Sequence, residues 1–226
     1  MKKRNALPLA FFVGAVATTV ACGDNKLAPS VPATVARVAG DSQTVLVGNS
    51  ASAPLVAEIK NSDGSPLPNI PVSWAVTAGG GSLATVVDTT DVNGQVRNTY
   101  FSPAIAATAK VTAAAAGESG TFMLTLVSDT VGTISTYGGN GAAALVGVQL
   151  TLVTQATDRF GNPMKGVNVN WSANGGTLQT ASGVTDSTGK TSNVITVGPD
   201  TGKVAVVASS RFNAITFTVT ALAAAN

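Results

Sequence analysis

The chain writes one phrase twice, "GSPLPNIPVSW" at 64–74 and "GNPMKGVNVNW" at 161–171. Gly64 matches Gly161, Pro66 matches Pro163 and Trp74 matches Trp171, all at an offset of 97 positions. The register then continues with small deletions. "TDVNG" at 90–94 pairs with "TDSTG" at 185–189 at offset 95, and "KVTAAA" at 110–115 pairs with "KVAVVA" at 203–208 at offset 93. Loop lengths drift while a scaffold stays, so a chain of 226 residues reads as two domains in tandem.

Each copy is written in strands. Ile70, Val72, Trp74 and Val76 alternate with Pro71, Ser73 and Ala75; Val167, Val169, Trp171 and Ala173 alternate with Asn168, Asn170 and Ser172. A strand has a side-chain period of two, so each apolar set shares one face, and a tryptophan there is expected in a core against an opposing sheet. "DGSP" at 63–66 and "FGNP" at 160–163 supply a glycine able to take positive φ and a proline of preset φ, which makes a tight reversal before each Trp strand. Closing strands carry Phe122, Leu124 and Leu126 in the first copy and Ile215, Phe217, Val219 and Ala221 in the second. No helical period is visible, and the 45% apolar content with only 5% aromatics suits thin pleated layers. About seven short strands per copy, with a tryptophan in the third, predict an all-β protein of two tandem immunoglobulin-like β-sandwich domains.

The first residues look like a removable leader. Lys2, Lys3 and Arg4 precede an apolar run at 6–21 that Pro8 interrupts and that is short for a membrane span. Without those three, ten of the thirteen basic residues remain against eleven acidic ones, a near-neutral balance that excludes the basic footprint of a nucleic-acid binder. The single cysteine, Cys22, follows Ala21 directly, and the stretch resembles a bacterial lipobox, with Thr19 where leucine is commonest. That resemblance implies a lipoprotein signal peptide at 1–21, a lipid-modified Cys22 as the first mature residue, and attachment to a membrane through the lipid. An ordinary secretory cut after Ala21, leaving a free thiol, is the alternative. After the cysteine, the rest of 22–32 reads as a polar, proline-bearing tether. The domains are expected at 33–127 and 131–226, joined by a short link that contains neither glycine nor proline.

The order strand, "DxxGxPxxxxxVxW", glycine-rich turn, "TDxxG", strand, "KVxxxA" resembles the bacterial Ig-like domain of group 1, the module repeated in invasin and intimin adhesins. The second copy carries more of the pattern, with Asp158, Gly161, Asn162, Pro163, Gly166, Val167, Trp171, Thr185, Asp186 and Gly189; the first has Ser65 for the asparagine and Asn69 for the second glycine. The resemblance implies an extracytoplasmic, surface-linked protein of the cell envelope, and glycine rather than aspartate after Cys22 favours the outer membrane under enterobacterial sorting rules. The expected role is a non-enzymatic adhesin-like or spacer and display module, since no lectin-like tip, membrane barrel or catalytic domain follows the second copy.

Catalytic chemistry has little to work with. There is no histidine, which removes Ser-His-Asp triads, Cys-His pairs and most transition-metal sites. Asp63, Asp91, Asp158 and Asp186 sit where a carboxylate caps a turn. Asp88, Asp91 and Asn93 bunch like the start of a calcium loop, but the distal bidentate glutamate is missing, and the matching turn offers only Asp186, Ser187 and Thr188. No metal, cofactor or enzymatic activity is expected. Two other readings stay open. A carbohydrate-binding module would need Tyr100, Phe101, Tyr137, Phe160 or Phe212 exposed in a line, although Tyr137 and Phe160 are expected to pack under loops. An accessory subunit of an envelope complex would need an exposed apolar sheet face. Trp74 and Trp171 are assigned to the cores. Counting alternate strand directions puts the FGNP turn of the second copy toward the first, and the loops carrying Gly175, Gly176, Pro199 and Asp200 at the far end, where a protein or polysaccharide partner would be met.

Overall fold

The computed structural model describes residues 31–224; the expected leader, Cys22 and most of the tether lie outside them. Among the described residues every regular element is a strand. The first copy runs β1 (Thr34–Ala39), β2 (Thr44–Leu46), β3 (Leu55–Lys60), β4 (Pro71–Ala78), β5 (Ser82–Leu83), β6 (Val87–Thr89), β7 (Gln95–Asn98), β8 (Tyr100–Phe101), β9 (Thr108–Ala115) and β10 (Glu118–Val127). The second runs β11 (Gly132–Gly138), β12 (Ala143–Leu145), β13 (Gln149–Asp158), β14 (Asn168–Asn174), β15 (Gly176–Leu178), β16 (Ser182–Val184), β17 (Lys190–Val197), β18 (Gly202–Ser209) and β19 (Ala214–Leu222).

Each copy stacks two sheets. In the second copy these have the orders β11-β13-β17-β15 and β12-β19-β18-β14-β16. The first copy repeats them as β1-β3-β7, with β5-β8 beside it, and β2-β10-β9-β4-β6. Both copies are therefore immunoglobulin-like sandwiches. The elements outnumber the seven strands expected, for a local reason. The first strand of each copy changes sheet part-way: β1 pairs antiparallel with β3 and breaks register after Arg37, and then β2 pairs parallel with β10. After the Trp strand the chain crosses to the other sheet at β5 or β15 and returns to the edge of β4 or β14 at β6 or β16. Pieces of two or three residues are too short to show an alternation in sequence.

Alternation builds each core. Phe122, Leu124 and Leu126 are buried on the inner face of β10, while Met123 and Thr125 point out. Trp74 tilts against Phe122 with ring centroids 5.8 Å apart, and Trp171 against Phe217 at 5.7 Å. Valines, leucines, isoleucines and alanines fill most of the rest, with Tyr100 in the first copy and Met164 in the second, and the buried side chains separate into one cluster per copy. Each fully buried Val, Leu or Phe contributes about 1.5–3 kcal/mol of transfer free energy, which each core sets against the entropy of ordering its strands. From Val31 on, the two sandwiches form one compact unit.

Candidate functional site

The duplicated phrase is a turn held by its neighbours. Asp158 Oδ1 accepts from the backbone N–H of Phe160 at 2.9 Å and of Asn162 at 2.8 Å, which closes the FGNP turn. In the first copy the same place is filled by Asn61, whose Oδ1 accepts from Asp63 at 3.0 Å and Ser65 at 2.9 Å. Asp63, expected to cap, is instead an exposed residue inside the turn that Asn61 caps, since the acceptor must precede the N–H groups it receives by two and four residues. Asn69 at φ 59° stands where Gly166 has φ 81°, a left-handed conformation that asparagine tolerates. The second motif ties this turn down. Thr90 donates to the carbonyl of Leu67 and Thr185 to that of Met164, both at 2.6 Å, while Asp91 and Asp186 cap the adjacent turns.

In the second copy the turn also reaches the first. The Asn162 side chain donates through Nδ2 to the carbonyl of Ala104 at 2.7 Å and accepts at Oδ1 from the N–H of Ala106 at 2.9 Å. Its Nδ2 also donates to Asp158 Oδ2 at 2.9 Å, and that oxygen accepts from the N–H of Asp129 in the link, again at 2.9 Å. Asp129 Oδ2 pairs with Arg159 Nε at 2.8 Å, and the Arg159 guanidinium lies over the Phe160 ring, 4.7 Å from its centroid. Gly48 of the first copy lies beside that ring; a Cβ there would come within 2.9 Å of the Phe160 Cζ. Asp158, Asn162 and Asp129 are all buried. Burial works to raise the Asp158 pKa, but the bonds from the Asn162 amide and from the backbone N–H groups of Asp129, Asn162 and Phe160 together hold it below the usual aspartate value.

The remaining candidates fall apart from this joint. Trp74 and Trp171 are 3% and 6% exposed, and the indole N–H of each has no partner among the described residues. The loops at Gly175 and Gly176 and at Pro199 and Asp200 lie side by side, with the Gly198 N–H donating to the Gly175 carbonyl at 2.9 Å; Gly175, Pro199 and Asp200 are exposed. They follow β14 and β17, whose opposite ends adjoin the FGNP turn, and the seven residues of β14 span about 20 Å. Asp88 turns its Oδ1 to its own neighbour's N–H, Asp91 caps Asn93 and Gln95, and no group of three His, Cys, Asp or Glu side chains converges among the described residues. Tyr100 is fully buried, and its hydroxyl donates to the Gly80 carbonyl at 2.7 Å. Tyr137 belongs to strand β11 and is exposed, rather than packed under a loop, while Phe160 packs against Gly48 yet stays 41% exposed. Tyr137, Phe160 and Phe212 each lie under a cation, from Lys190, Arg159 and Arg211 respectively, so one face of each ring is already occupied.

Sheet order, the tryptophan pair and the tied turn occur in both copies. Residues 35–127 match the family model of the bacterial Ig-like domain, group 1. The match falls on the first copy, although the second carries more of the written pattern. No curated protein matches the sequence. Among solved structures, the D0-D1 domain of intimin is 17% identical with a TM-score of 0.33, over 82% of this chain and 93% of that one. The Escherichia coli adhesin FdeC is 16% identical with a TM-score of 0.49, over 84% of this chain and 64% of that one. Invasin, a bacterial integrin-binding protein, is 20% identical with a TM-score of 0.39, over 84% of this chain and 39% of that one.

Sequence reasoning missed the role of Asn162, whose carboxamide bridges the copies, because the motif alone gives it no partner. It also missed Asn98 and Asn193, buried residues that donate to the carbonyls of Thr85 and Thr180 at 2.8 Å. Their equal offset of 95 was the available signal.

Proposed function

We propose that this protein is a lipid-anchored spacer and display module of the cell envelope, non-enzymatic, held at Cys22 and presenting its second Ig-like copy outward. The observation that carries the reading is the contact of the FGNP turn with the first copy. It sets the two sandwiches end to end and leaves the Gly175 and Asp200 loops at the end turned away from the first copy. With the chain tethered at its N-terminal side, those loops are the farthest from the membrane and the surface offered to a protein or polysaccharide partner. Loops on a rigid sandwich tolerate variation where strands do not, which suits a recognition surface. The sequence contains no histidine to serve as a catalytic base, and scaffolding asks only for a stable, spaced shape.

The experiment places an epitope beside Asp200 and probes intact cells with antibody, while a fatty-acid probe labels the chain metabolically. The reading expects antibody binding on intact cells, acyl labelling of the parent, and loss of both cell retention and label in Cys22→Ser. Labelling of the Cys22→Ser chain, or an epitope reached only after the envelope is opened, overturns it.

A further inference from the structure

The contact between the copies has two halves, and each half occurs once among the described residues. We infer that the Asp158–Asn162 turn and the loop holding Ala104 and Ala106 form a directional docking pair, which fixes the order of the two copies and leaves neither outer end able to seat a further copy by the same bonds. These contacts lie inside the chain, so the inference stands whether or not the envelope reading survives.

The turn side is chemically specific. One carboxamide spans the Ala104 carbonyl and the Ala106 N–H because it carries a donor and an acceptor on the same planar group. In the first copy the corresponding residues are Asn61, Ser62, Asp63 and Ser65, in place of Asp158, Arg159, Phe160 and Asn162. Ser65 is shorter than asparagine and carries its donor and its acceptor on one oxygen rather than on the two ends of a carboxamide, so it does not reproduce the reach of Asn162. Asn61 has no second carboxylate oxygen to hold a link as Asp158 holds Asp129. Ser62 and Asp63 replace the cation and ring that pack on Gly48, and all of these first-copy residues except Asn61 are exposed.

The receiving side differs as well. The loop between β8 and β9 covers 102–107, whereas its counterpart between β17 and β18 covers 198–201 and is two residues shorter. In the first copy the Gly48 N–H donates to the Pro103 carbonyl at 3.0 Å, which gathers the seat into one surface; in the second, the Gly147 N–H donates to the Val197 carbonyl at 2.9 Å and Asp200 stands exposed. A third turn of the Asn162 type would meet neither the loop length nor the bond pattern it needs. Whatever meets the Gly175 and Asp200 end is therefore of another kind than this module's own turn.

The test uses the full chain carrying Cys22→Ser, with spin labels on cysteines introduced at the exposed Ser119 and Ser172, and reads the distance between copies by pulsed electron resonance. The parent is expected to give one narrow distribution. Two variants cut the contact from opposite sides: Asn162→Ala, and deletion of Ala104 and Ile105, which brings the loop to the length of its counterpart. Each is expected to broaden the distribution about twofold or more, since domain pairs without a fixed interface move by default, while near-ultraviolet circular dichroism reports both sandwiches folded. If one variant loses its own copy, the other reads the same contact from the intact side. Ser65→Asn in the first copy is expected to leave the distance unchanged. A folded Asn162→Ala or loop-deleted chain with a distribution as narrow as the parent's overturns the inference.

Discussion

Thr90 and Thr185, 95 positions apart, make the same two hydrogen bonds. Each donates its hydroxyl proton to a carbonyl at 2.6 Å, Leu67 or Met164, and accepts at 2.9 Å from an N–H, Ile70 or Val167. Both are buried, at 3% and 2% exposure. Their hydroxyls satisfy backbone groups where the chain enters the Trp strand, a place that no ladder covers, and this explains why "TD" recurs with the "GxP" turn it follows by more than twenty residues.

Replacing Thr185 by valine keeps the shape and removes the hydroxyl. The Met164 carbonyl and the Val167 N–H are then left buried without a partner, and the expected loss is about 1–3 kcal/mol per orphaned group. Chemical denaturation of Thr185→Val measures it, and Thr185→Ser should recover most of the difference. A Thr185→Val chain as stable as the parent would show that the bonds contribute nothing net.

Trp74 and Trp171 give a second test because each copy holds one tryptophan. Truncating either to alanine opens a cavity beside Phe122 or Phe217 and is expected to cost about 3–5 kcal/mol in its own copy. The remaining tryptophan reports the other copy by fluorescence. Since the cores are separate clusters, that second transition should move little. A loss below about 1 kcal/mol in the truncated copy would show that the ring does not carry its core.

The architecture was legible because it is written in long-range repetition and in alternation, both of which survive in a single sequence. Val72, Trp74, Phe122 and Leu124 declare their inner face by period alone, and the structure buries all four. The joint was not legible in the same way. Asn162 bonds to backbone atoms of Ala104 and Ala106, and backbone atoms leave no mark in the identity of their residues. Asp63 misleads because its residue type suggests a cap, whereas the bond belongs to the residue two places earlier. The short strands β5, β6, β15 and β16 are lost for want of length. Strand direction was legible to the level of ends, since it needs only the order of reversals, and the structure sets the FGNP turn of the second copy against the first.

Acid should loosen the second copy through Asp158. Its pKa is held below the ordinary aspartate value, so its contribution is fully present above about pH 4, the unfolded-state range, and is lost as pH falls through the lower folded-state value. Asp186 is lowered as well, first by its bond from the Thr188 hydroxyl, and loses its share in the same direction. Asp158→Asn isolates the joint: it places an N–H group where the Asp129 N–H and the Asn162 amide need an acceptor. The variant should be less stable at neutral pH and show a flatter acid limb in denaturation profiles taken from about pH 6 to about pH 2.5. An acid limb unchanged from the parent would assign the pH dependence to other carboxylates.

The final expectation concerns insertion at the two ends of the second copy. Asp200 is exposed, follows strand β17 through a loop whose nearest bond is the one from Gly198 to Gly175, and makes no side-chain bond among the described residues. Asn162 is 8% exposed, and its side chain holds three bonds, two of them to the first copy. A short epitope beside Asp200 extends a loop at a small closure cost, growing only with the logarithm of its length. Beside Asn162 the same insert separates the carboxamide from Asp158 and from the Ala104 carbonyl, breaking bonds in a buried place. Thermal unfolding of the two insertion chains should therefore diverge: the Asp200 chain within a few degrees of the parent, and the Asn162 chain lower and with a broadened distance between copies. Equal tolerance at both sites would mean that the FGNP turn is a surface loop, and that the bonds drawn from Asn162 to the first copy do not hold in solution.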